Sequence, residues 1–253
     1  MADLKIIREF LISNEDVTGL CLMPDLSDPE AEKKDLIDLY RMWAIIPEQT
    51  HSCNVAVAER YRRFFSDTDA LITFETDVPV GVKTADCVPI LIYAPDVHCI
   101  GAIHAGWKGT IGGIVDNVMD MLVEKGADPA SLKVVFGPSI SKDKYEVDAD
   151  LADRFIAEGL GDYVYSPEEI EEKPHIDLQG VNMERFLRRG VKLENITLHE
   201  GCSYGSKMED GSPMYASHRR SKGKPARMLT CIMLLSESEK KRYGRLFNAN
   251  RDS

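Results

Sequence analysis

Short apolar runs separated by polar, glycine or proline residues make up the middle of the chain. Five of them are rich in β-forming residues: 54–61 (NVAVAERY), 70–75 (ALITFE), 80–83 (VGVK), 88–94 (VPILIYA) and 98–104 (HCIGAIH). Runs of this length and composition, bounded by turn residues, predict strands. Three more runs follow the same rule: 133–136 (KVVF), 196–200 (ITLHE) and 226–235 (ARMLTCIMLL). We therefore expect these segments to form a sheet.

Other segments change to the period of a helix. The stretch 24–43 predicts a loop and then a helix, with Asp28 as N-cap and Pro29 at the first helical position. A second helix is predicted to start near Thr110 and to end at Gly126–Pro129. One face of that helix is apolar at positions 111, 114, 115, 118 and 122.

Two more helices are predicted over 148–159 and roughly 177–189. The charged tail 240–253 predicts a surface helix or a frayed end. Strands and helices alternate irregularly along the chain. This mixture predicts an α/β or α+β fold in one domain.

The composition narrows the class of protein. The chain has 253 residues and a formal net charge of −11, whereas a broad nucleic-acid-binding surface needs clustered positive charge. No run approaches the roughly 18 apolar residues of a membrane helix. The N-terminal MADLKIIREFLISNED lacks the apolar region of a signal peptide. Six scattered cysteines favour reduced thiols, so we expect a cytoplasmic protein with neither membrane nor nucleic-acid partners.

Two histidines and a cysteine are the first candidates for chemistry. His51 lies in PEQTHSCNV, Cys87 in TADCVPI and His104 in AIHAGWKG. Thiolate and imidazole suit zinc, and three protein ligands would leave a fourth position open, as in catalytic zinc sites. The separations along the chain are wider than those of a zinc finger. Spacing alone therefore leaves open the alternative that these residues form no metal site and are two loop histidines and a half-buried thiol.

The glycine-rich turn GWKGT (106–110) suggests an anion site. Backbone N–H groups at the start of a helix bind anions, and glycine lets the backbone approach them closely. Lys108 would add a positive charge beside Gly109, and Arg219 or Arg220 could complete a phosphate site from elsewhere in the chain. The alternatives are a plain strand-to-helix turn and two solvated arginines.

Asp86, next to Cys87, is a candidate to carry a proton during a reaction. The alternative is that its carboxylate orients the loop by accepting hydrogen bonds from backbone N–H groups. His175 and His199 lie in charged contexts typical of solvent-facing side chains. His218 borders a basic cluster and is open to either a pocket or a surface position.

Seven segments together resemble one known family. They are QTHS (49–52), DALIT (69–73), KTADCVPILI (83–92), AIHAGWKG (102–109), GPSI with YEV (137–147), DL to GV (177–191) and SHRR (217–220). In this order, over roughly residues 45–235, the chain is similar to the YfiH family. That family is also called the laccase-domain or polyphenol-oxidase family, and its members are described as purine nucleoside phosphorylases. Residues 1–44 match it weakly, and the tail from about 236 looks like an addition.

The chain departs from the family pattern at three places. Ser52 stands where glycine is frequent, Cys202-Ser203 where Cys-Thr is common, and Ala226-Arg227 where Gly-Arg is common. Serine in place of threonine keeps the hydroxyl. The other two departures bear on details of the substrate pocket.

The resemblance implies that His51, Cys87 and His104 are the ligands of one zinc ion, with copper also able to bind in vitro. It implies a cytosolic, single-domain α/β fold with a mixed sheet over residues 1–253, shared remotely with the catalytic domain of a deamidating toxin. The implied reactions are phosphorolysis of purine nucleosides (adenosine, inosine, guanosine and methylthioadenosine) and deamination of adenosine.

In these reactions the substrates would be nucleosides and phosphate. Lys108, Gly109 and Arg219 are the candidates for binding phosphate. Asp86 and Cys87 are the candidates for catalysis. The sequence leaves open which reaction dominates, which base is preferred and what the oligomeric state is.

Three other functions compete with this interpretation. The first is a metal-independent cysteine hydrolase, with Cys87 as nucleophile and a histidine as base. The second is a copper-dependent polyphenol oxidase, although six histidines without a His-x-His pair are too few for a multicopper centre. The third is a non-enzymatic protein in which zinc pins two loops to a partner surface.

Overall fold

The computed structural model describes residues 6–24, 26, 43–165, 173–222 and 226–241. Its strands are β1 (Ile6–Ser13), β2 (Val17–Pro24), β3 (Val55–Val57), β4 (Ala70–Thr73), β5 (Val80–Thr84), β6 (Val88–Ala94), β7 (Cys99–Ala105), β8 (Lys133–Phe136), β9 (Val164–Tyr165), β10 (His175–Ile176), β11 (Ile196–Thr197) and β12 (Met228–Leu234). Its helices are α1 (Trp107–Gly112), α2 (Ile114–Glu124), α3 (Ala149–Ala157), α4 (Leu178–Arg188) and α5 (His218–Ser221). Residues 237–241, at the start of the predicted tail, are also helical.

The larger sheet has six strands in the order β11-β8-β6-β7-β4-β3. Its inner strands pair antiparallel, whereas β11 with β8 and β3 with β4 are parallel pairs. Strands β6 and β7 are buried along their whole length, as their nearly continuous apolar sequences predict. The mixed sheet confirms the predicted α/β class.

A second sheet, with the order β1-β2-β12-β5 and antiparallel pairing, lies against the first. The apolar cluster between the two sheets contains Leu91 and Tyr93 of β6 together with Val82 of β5. The alternate residues of β6, Ile90 and Ile92, belong instead to the cluster shared with the helices. This period of two follows from the pleat, and it explains why β6 is apolar at every position.

Helices α2, α3 and α4 cover the remaining face of the six-stranded sheet. Their apolar side chains, including Phe155 and Phe186, form one buried cluster with the strands. Phe136 at the end of β8 packs edge to face on Phe186, with ring centroids 6.3 Å apart. The described chain is therefore a stack of helices, mixed sheet and antiparallel sheet.

The helix expected to start near Thr110 differs from the prediction. It begins earlier, at Trp107, and it is interrupted at Gly113. Gly113 has φ +80°, a left-handed conformation that favours glycine, and its N–H caps the carbonyl of Gly109. The apolar period continues across this break, so the periodicity alone predicts a single helix.

Strands β1 and β2 were not expected from the sequence. The register of β1 against β2 shifts between Phe10 and Ile12, as at a β-bulge, and Phe10 is 54% exposed. A bulge disturbs the alternation by which half-buried strands are identified. At the other end of the chain, the strand expected over 196–200 is limited to Ile196–Thr197.

The predicted helix with Asp28 and Pro29 lies outside the described residues, as does the tail beyond residue 241. Helices α3 and α4 confirm the predictions for 148–159 and 177–189. Within the described part of the chain, no helix has the length and apolar character that crossing a membrane requires. The single-domain organisation over 1–253 stays a prediction.

Candidate metal centre

The fold brings His51, Cys87 and His104 together. Because β6 and β7 are antiparallel, with Val88 opposite Ala105, the start of β6 and the end of β7 meet at one edge of the sheet. Cys87 and His104 lie at that edge. The loop before β3 adds His51, whose Nε2 is 3.7 Å from the Sγ of Cys87. The ligand atoms of all three residues lie within 4.8 Å of one another, so this group could hold a metal ion.

A buried carboxylate, Asp69, orients this group. Its Oδ1 lies 2.6 Å from Nδ1 of His104 and accepts a hydrogen bond from the N–H of His51 at 3.1 Å. Its Oδ2 accepts from the N–H groups of Thr50, at 3.1 Å, and of Ser52, at 2.7 Å. Since Nδ1 of His104 faces Asp69, Nε2 of that ring is left for a metal. The same carboxylate holds the loop in which His51 adopts φ +64°.

The ionisation of the group follows from these contacts. Burial would raise the pKa of the Cys87 thiol, but the His104 and His51 imidazoles outweigh it and lower that pKa to about 6. Burial opposes protonation of His104, but Cys87 and Asp69 raise its pKa above the usual value. For Asp69, burial is outweighed by hydrogen bonds from His104 and Ser52, and the pKa falls to about 2. The site therefore favours a thiolate at Cys87.

The backbone approaches the metal-ligand group closely at Gly106. A Cβ at this position would lie 2.6 Å from Cδ2 of His51 and 3.1 Å from the Sγ of Cys87. Both distances are shorter than ordinary van der Waals contact, so any side chain here would displace a ligand. Part of the glycine-rich turn thus serves the packing around the three ligands.

The donor set fits zinc. One thiolate and two imidazoles are ligands that zinc prefers, and three protein ligands are typical of catalytic sites with an open fourth position. Imidazole and thiolate also bind copper. Within the described residues the group has three members, His51, Cys87 and His104, and it opens onto a cleft of about 710 Å³.

The cleft combines cations and aromatic rings around the metal-ligand group. Its lining comprises Gln49, His51, Lys83, Thr84, Ala85, Asp86, Cys87, His104, Trp107, Tyr145, His218, Arg219 and Arg227. Arg219 lies over the ring of Tyr145, with Cζ 5.2 Å from the ring centroid. Arg154 lies over Trp107 in the same way, at 4.8 Å. The cleft therefore offers positive charge for an anion, and its two aromatic rings are covered by arginine side chains.

Asp86 is tied to its surroundings through both carboxylate oxygens. Oδ1 accepts a hydrogen bond from the Ser203 hydroxyl at 2.7 Å, and Oδ2 accepts one from the N–H of Arg219 at 2.7 Å. Its carbonyl accepts from the N–H of Ile140 at 2.9 Å. These bonds favour the orienting role that the sequence left open, and the role as a proton carrier stays a prediction.

The candidates for binding phosphate separate into two groups. Arg219 lines the cleft, as do Lys83 and Arg227, which were not among the candidates. Lys108 is exposed, with its Nζ 5.6 Å from the ring centroid of Trp107, and it lies outside the cleft lining. Gly109 is buried, and a Cβ there would lie 3.3 Å from the carbonyl oxygen of Ser52. The structure thus places neither Lys108 nor Gly109 on the cleft wall.

Two further basic candidates also have defined positions. His218 lines the cleft. The guanidinium of Arg220 donates to the carbonyls of Ser203, at 2.9 Å, of Tyr204, at 3.2 Å, and of Tyr215. Arg220 therefore holds the chain segment before α5 together. The idea that it completes a phosphate site has no support in this geometry.

His199 is not solvent-facing as predicted. Its Nε2 lies 2.7 Å from Oε1 of Glu9 on β1, and its Nδ1 accepts a hydrogen bond from the N–H of Gly201 at 2.8 Å. The sequence could not reveal this pair, because the two residues are 190 positions apart. His175 is half-buried on β10.

The sequence reasoning missed two residues of the site. Asp69 directly precedes the apolar run of β4, and an isolated acid at the start of a buried strand was the available signal. Tyr145 follows a polar turn at residues 142–144, and nothing in its local pattern distinguishes it from a surface tyrosine.

Comparison with known proteins identifies the family. The sequence profile of the family described as multi-copper polyphenol oxidoreductase laccase matches residues 31–235. The chain belongs to this family. Among similar proteins of known structure are a hypothetical protein YfiH from Bacillus licheniformis and YlmD from Geobacillus stearothermophilus.

The two solved structures share the fold. The YfiH protein has a TM-score of 0.71 at 23% identity, covering 90% of this chain and 99% of that one. YlmD has a TM-score of 0.68 at 23% identity, covering 87% and 92%. The likeness to the deamidating toxin stays a prediction.

Curated relatives are more similar in sequence. A protein named purine nucleoside phosphorylase from Deinococcus radiodurans is 37% identical over 170 residues, which are 67% of this chain and 62% of the relative. One named adenosine deaminase, from an unknown prokaryotic organism, is 36% identical over 180 residues, 67% of this chain and 66% of its own. The match with purine nucleoside phosphorylase YlmD of Bacillus subtilis is 28% over 229 residues and covers 85% and 80%. The chain thus spans just under two thirds of the first two relatives.

Proposed function

We propose that the protein is a zinc-dependent purine nucleoside phosphorylase that also deaminates adenosine. The observation that carries the proposal is the convergence of His51, Cys87 and His104 on a cleft lined by cations and aromatic rings. The names of the relatives, purine nucleoside phosphorylase and adenosine deaminase, support the substrate class. The nucleosides in question are adenosine, inosine, guanosine and methylthioadenosine.

His51, Cys87 and His104 would hold the zinc ion. When bound, zinc supplies a Lewis acid and lowers the pKa of a coordinated water towards about 7. The chain contributes the orientation of the ligands. Asp69 keeps the His104 ring turned so that Nε2 faces the group, and it fixes the loop of His51.

The cleft also suits phosphorolysis. Arg219, Arg227 and Lys83 line it and provide positive charge for phosphate, and Tyr145 and Trp107 line the same cleft. Phosphate would attack the anomeric carbon of the ribose as the bond to the base breaks. Holding the anion beside the sugar supplies the positioning and electrostatic contributions to catalysis.

A metal-independent cysteine hydrolase is the second candidate, and one observation favours it. Asp69 contacts His104 at 2.6 Å, and His104 and His51 both lower the pKa of Cys87. A thiolate, an imidazole and an orienting carboxylate are the parts of a nucleophilic triad. Stoichiometric zinc would argue against this function, because a metal-bound thiolate is a poor nucleophile.

The copper oxidase is a weaker alternative. The family description refers to several coppers, but the part of the chain that the structure describes contains a single three-residue group of this kind. Copper bound there in vitro is compatible with a zinc site, since copper ranks highest in affinity.

The test combines metal analysis with product analysis. Protein purified without added metal would be assayed for zinc and copper, and then incubated with adenosine with and without phosphate. Cys87→Ala is the test variant, and Cys202→Ala, which removes a thiol outside the metal-ligand group, is the matched control. Near-stoichiometric zinc, and adenine formed only with phosphate, are expected for wild type and Cys202→Ala but not for Cys87→Ala.

Inosine formed without phosphate would make deamination the main reaction. Metal-free protein that leaves nucleosides unchanged would refute the proposal.

A further inference from the structure

Tyr145 lines the cleft onto which the metal-ligand group opens. It ends the short turn at residues 142–144 and lines the same cavity as Cys87 and His104. It also lines an adjoining cavity of about 380 Å³. Its half-buried ring packs against the apolar cluster between the helices and the six-stranded sheet, and this contact holds the side chain in place.

Arg219 packs over the ring of Tyr145 and restricts its position. The Cζ of Arg219 is 5.2 Å from the ring centroid of Tyr145, and its guanidinium donates to the carbonyl of Lys144 at 3.2 Å. The N–H of Arg219 is in turn held by Asp86 at 2.7 Å. The phenol is thus positioned by protein contacts before any substrate binds, as efficient catalysis by a hydrogen-bond donor requires.

The hydroxyl of Tyr145, unlike its ring, is not engaged by the contacts described above. Among the residues that the structure describes, Oη of Tyr145 has no hydrogen-bond partner, although its ring carries the contact with Arg219. Burial and the negative charges of Cys87 and Asp86 raise the pKa of the phenol, so it remains protonated at neutral pH. A protonated hydroxyl can donate, and a donor on the cleft wall without a partner among the described residues is suited to a ligand atom.

Phosphorolysis needs such a donor. When the bond from the anomeric carbon to the purine nitrogen breaks, its electron pair moves into the base, and a hydrogen bond to the base stabilises the charge. Arg219, Arg227 and Lys83 carry the positive charge that suits phosphate, whereas Tyr145 is a neutral donor beside them.

We propose that the Tyr145 hydroxyl donates a hydrogen bond to a ring nitrogen of the departing purine. This inference rests on the proposed phosphorylase function. One phosphate oxygen forms a bond to the anomeric carbon, and the bond to the base breaks. The proton that hydrogen phosphate loses ends on the released purine, and Tyr145, as a hydrogen-bond donor, keeps its own proton throughout.

Tyr145→Phe tests the hydroxyl alone, because phenylalanine keeps the ring and its contact with Arg219. With adenosine, kcat should fall by about 10- to 100-fold with little change in KM, as expected for an interaction made in the transition state. With 7-methylguanosine, whose base carries a positive charge and leaves as a neutral molecule, the loss should be less than about threefold. Tyr165→Phe is the matched control: it removes another tyrosine hydroxyl, and Lys142 lies over that ring with Nζ 4.8 Å from the centroid.

The zinc content and Tm of each variant would be measured beside the kinetics. An equal loss on both substrates, or unchanged kcat with adenosine, would overturn the role of Tyr145 while leaving the phosphorylase function intact. Wild-type protein without phosphorolysis would overturn the proposed function itself, and the inference with it. The two failures are therefore distinguishable.

Discussion

Oδ1 of Asp69 lies 2.6 Å from Nδ1 of His104, and the carboxylate is buried. The same oxygen accepts a hydrogen bond from the backbone of His51, so one side chain orients two of the three candidate metal ligands. Such outer contacts fix the tautomer and the orientation of a ligating imidazole. The geometry of the metal-ligand group therefore depends on a residue that does not belong to it.

Asp69→Asn should weaken zinc binding by about 10- to 100-fold, because an amide no longer favours the Nδ1–H tautomer of His104. Competition with a chromogenic chelator would measure the affinity. Asp67→Asn is the matched control: Asp67 accepts hydrogen bonds from the side chains of Thr50 and Asn54 in the same loop. Equal zinc affinity in the Asp69 variant and wild type would show that the carboxylate is not needed for metal binding.

Gly106→Ala should lower zinc affinity by at least about 10-fold, because the new Cβ would meet the His51 ring at 2.6 Å and force it away. Gly161→Ala is the control, since the nearest atom to its Cβ, on Ile156, is 3.8 Å away. Zinc content and far-UV circular dichroism would be measured for both variants. Full zinc occupancy and wild-type affinity in Gly106→Ala would contradict the steric argument.

Much of the fold could be predicted from local pattern. The apolar runs of β6 and β7 are long and nearly uninterrupted, and burial on both faces is the physical reason. Where the backbone departs from regular geometry, the prediction fails. The bulge near Phe10 disturbs the alternation by which β1 would be identified. The left-handed Gly113 interrupts a continuous apolar period, so that two helices form instead of one.

The site was predictable in part. The resemblance to a known family brought His51, Cys87 and His104 together, although spacing alone did not. Contacts between distant segments carry no local signal, which explains why the link from Asp69 to His104 and the stack of Arg219 on Tyr145 were missed. The role of Lys108 in binding phosphate stays a prediction, since this cation of the glycine-rich turn is not among the residues that line the cleft.

Zinc binding should depend on pH in one direction. A metal ligand must be deprotonated, and the pKa of the Cys87 thiol is lowered to about 6 by His104 and His51. Above this pH the thiolate is present, but His104, whose pKa Cys87 and Asp69 raise to about 9, must still lose a proton to bind, so the affinity should already decrease as the pH falls below about 9. Below about pH 6 a second proton, on the thiol, also competes with the metal, so the apparent affinity should fall more steeply, by more than about 10-fold per pH unit. Chelator competition from pH 8 to 5, with circular dichroism to confirm folding, would measure this. An affinity that stays constant down to pH 5 would contradict the assignment of Cys87 as a ligand.

Asp86→Asn separates the two roles of that residue. If Asp86 orients the loop, the amide cannot accept from both Ser203 and Arg219, and the free energy of unfolding should fall by about 1–3 kcal/mol. Phosphorolysis and deamination should then decline together, because Arg219 loses its anchor. If Asp86 carries a proton in deamination alone, inosine formation should fall while stability and phosphorolysis are kept.

Ser203→Ala is the matched control for this experiment, since it removes one hydrogen bond to Asp86 and leaves the carboxylate charged. It should show a smaller loss of stability than Asp86→Asn. The rates of phosphorolysis and deamination should keep the same ratio as in wild type. Urea unfolding and product chromatography on the same preparations would give both quantities. Because both oxygens of Asp86 already accept hydrogen bonds from the protein, we expect the joint decline that follows from the orienting role.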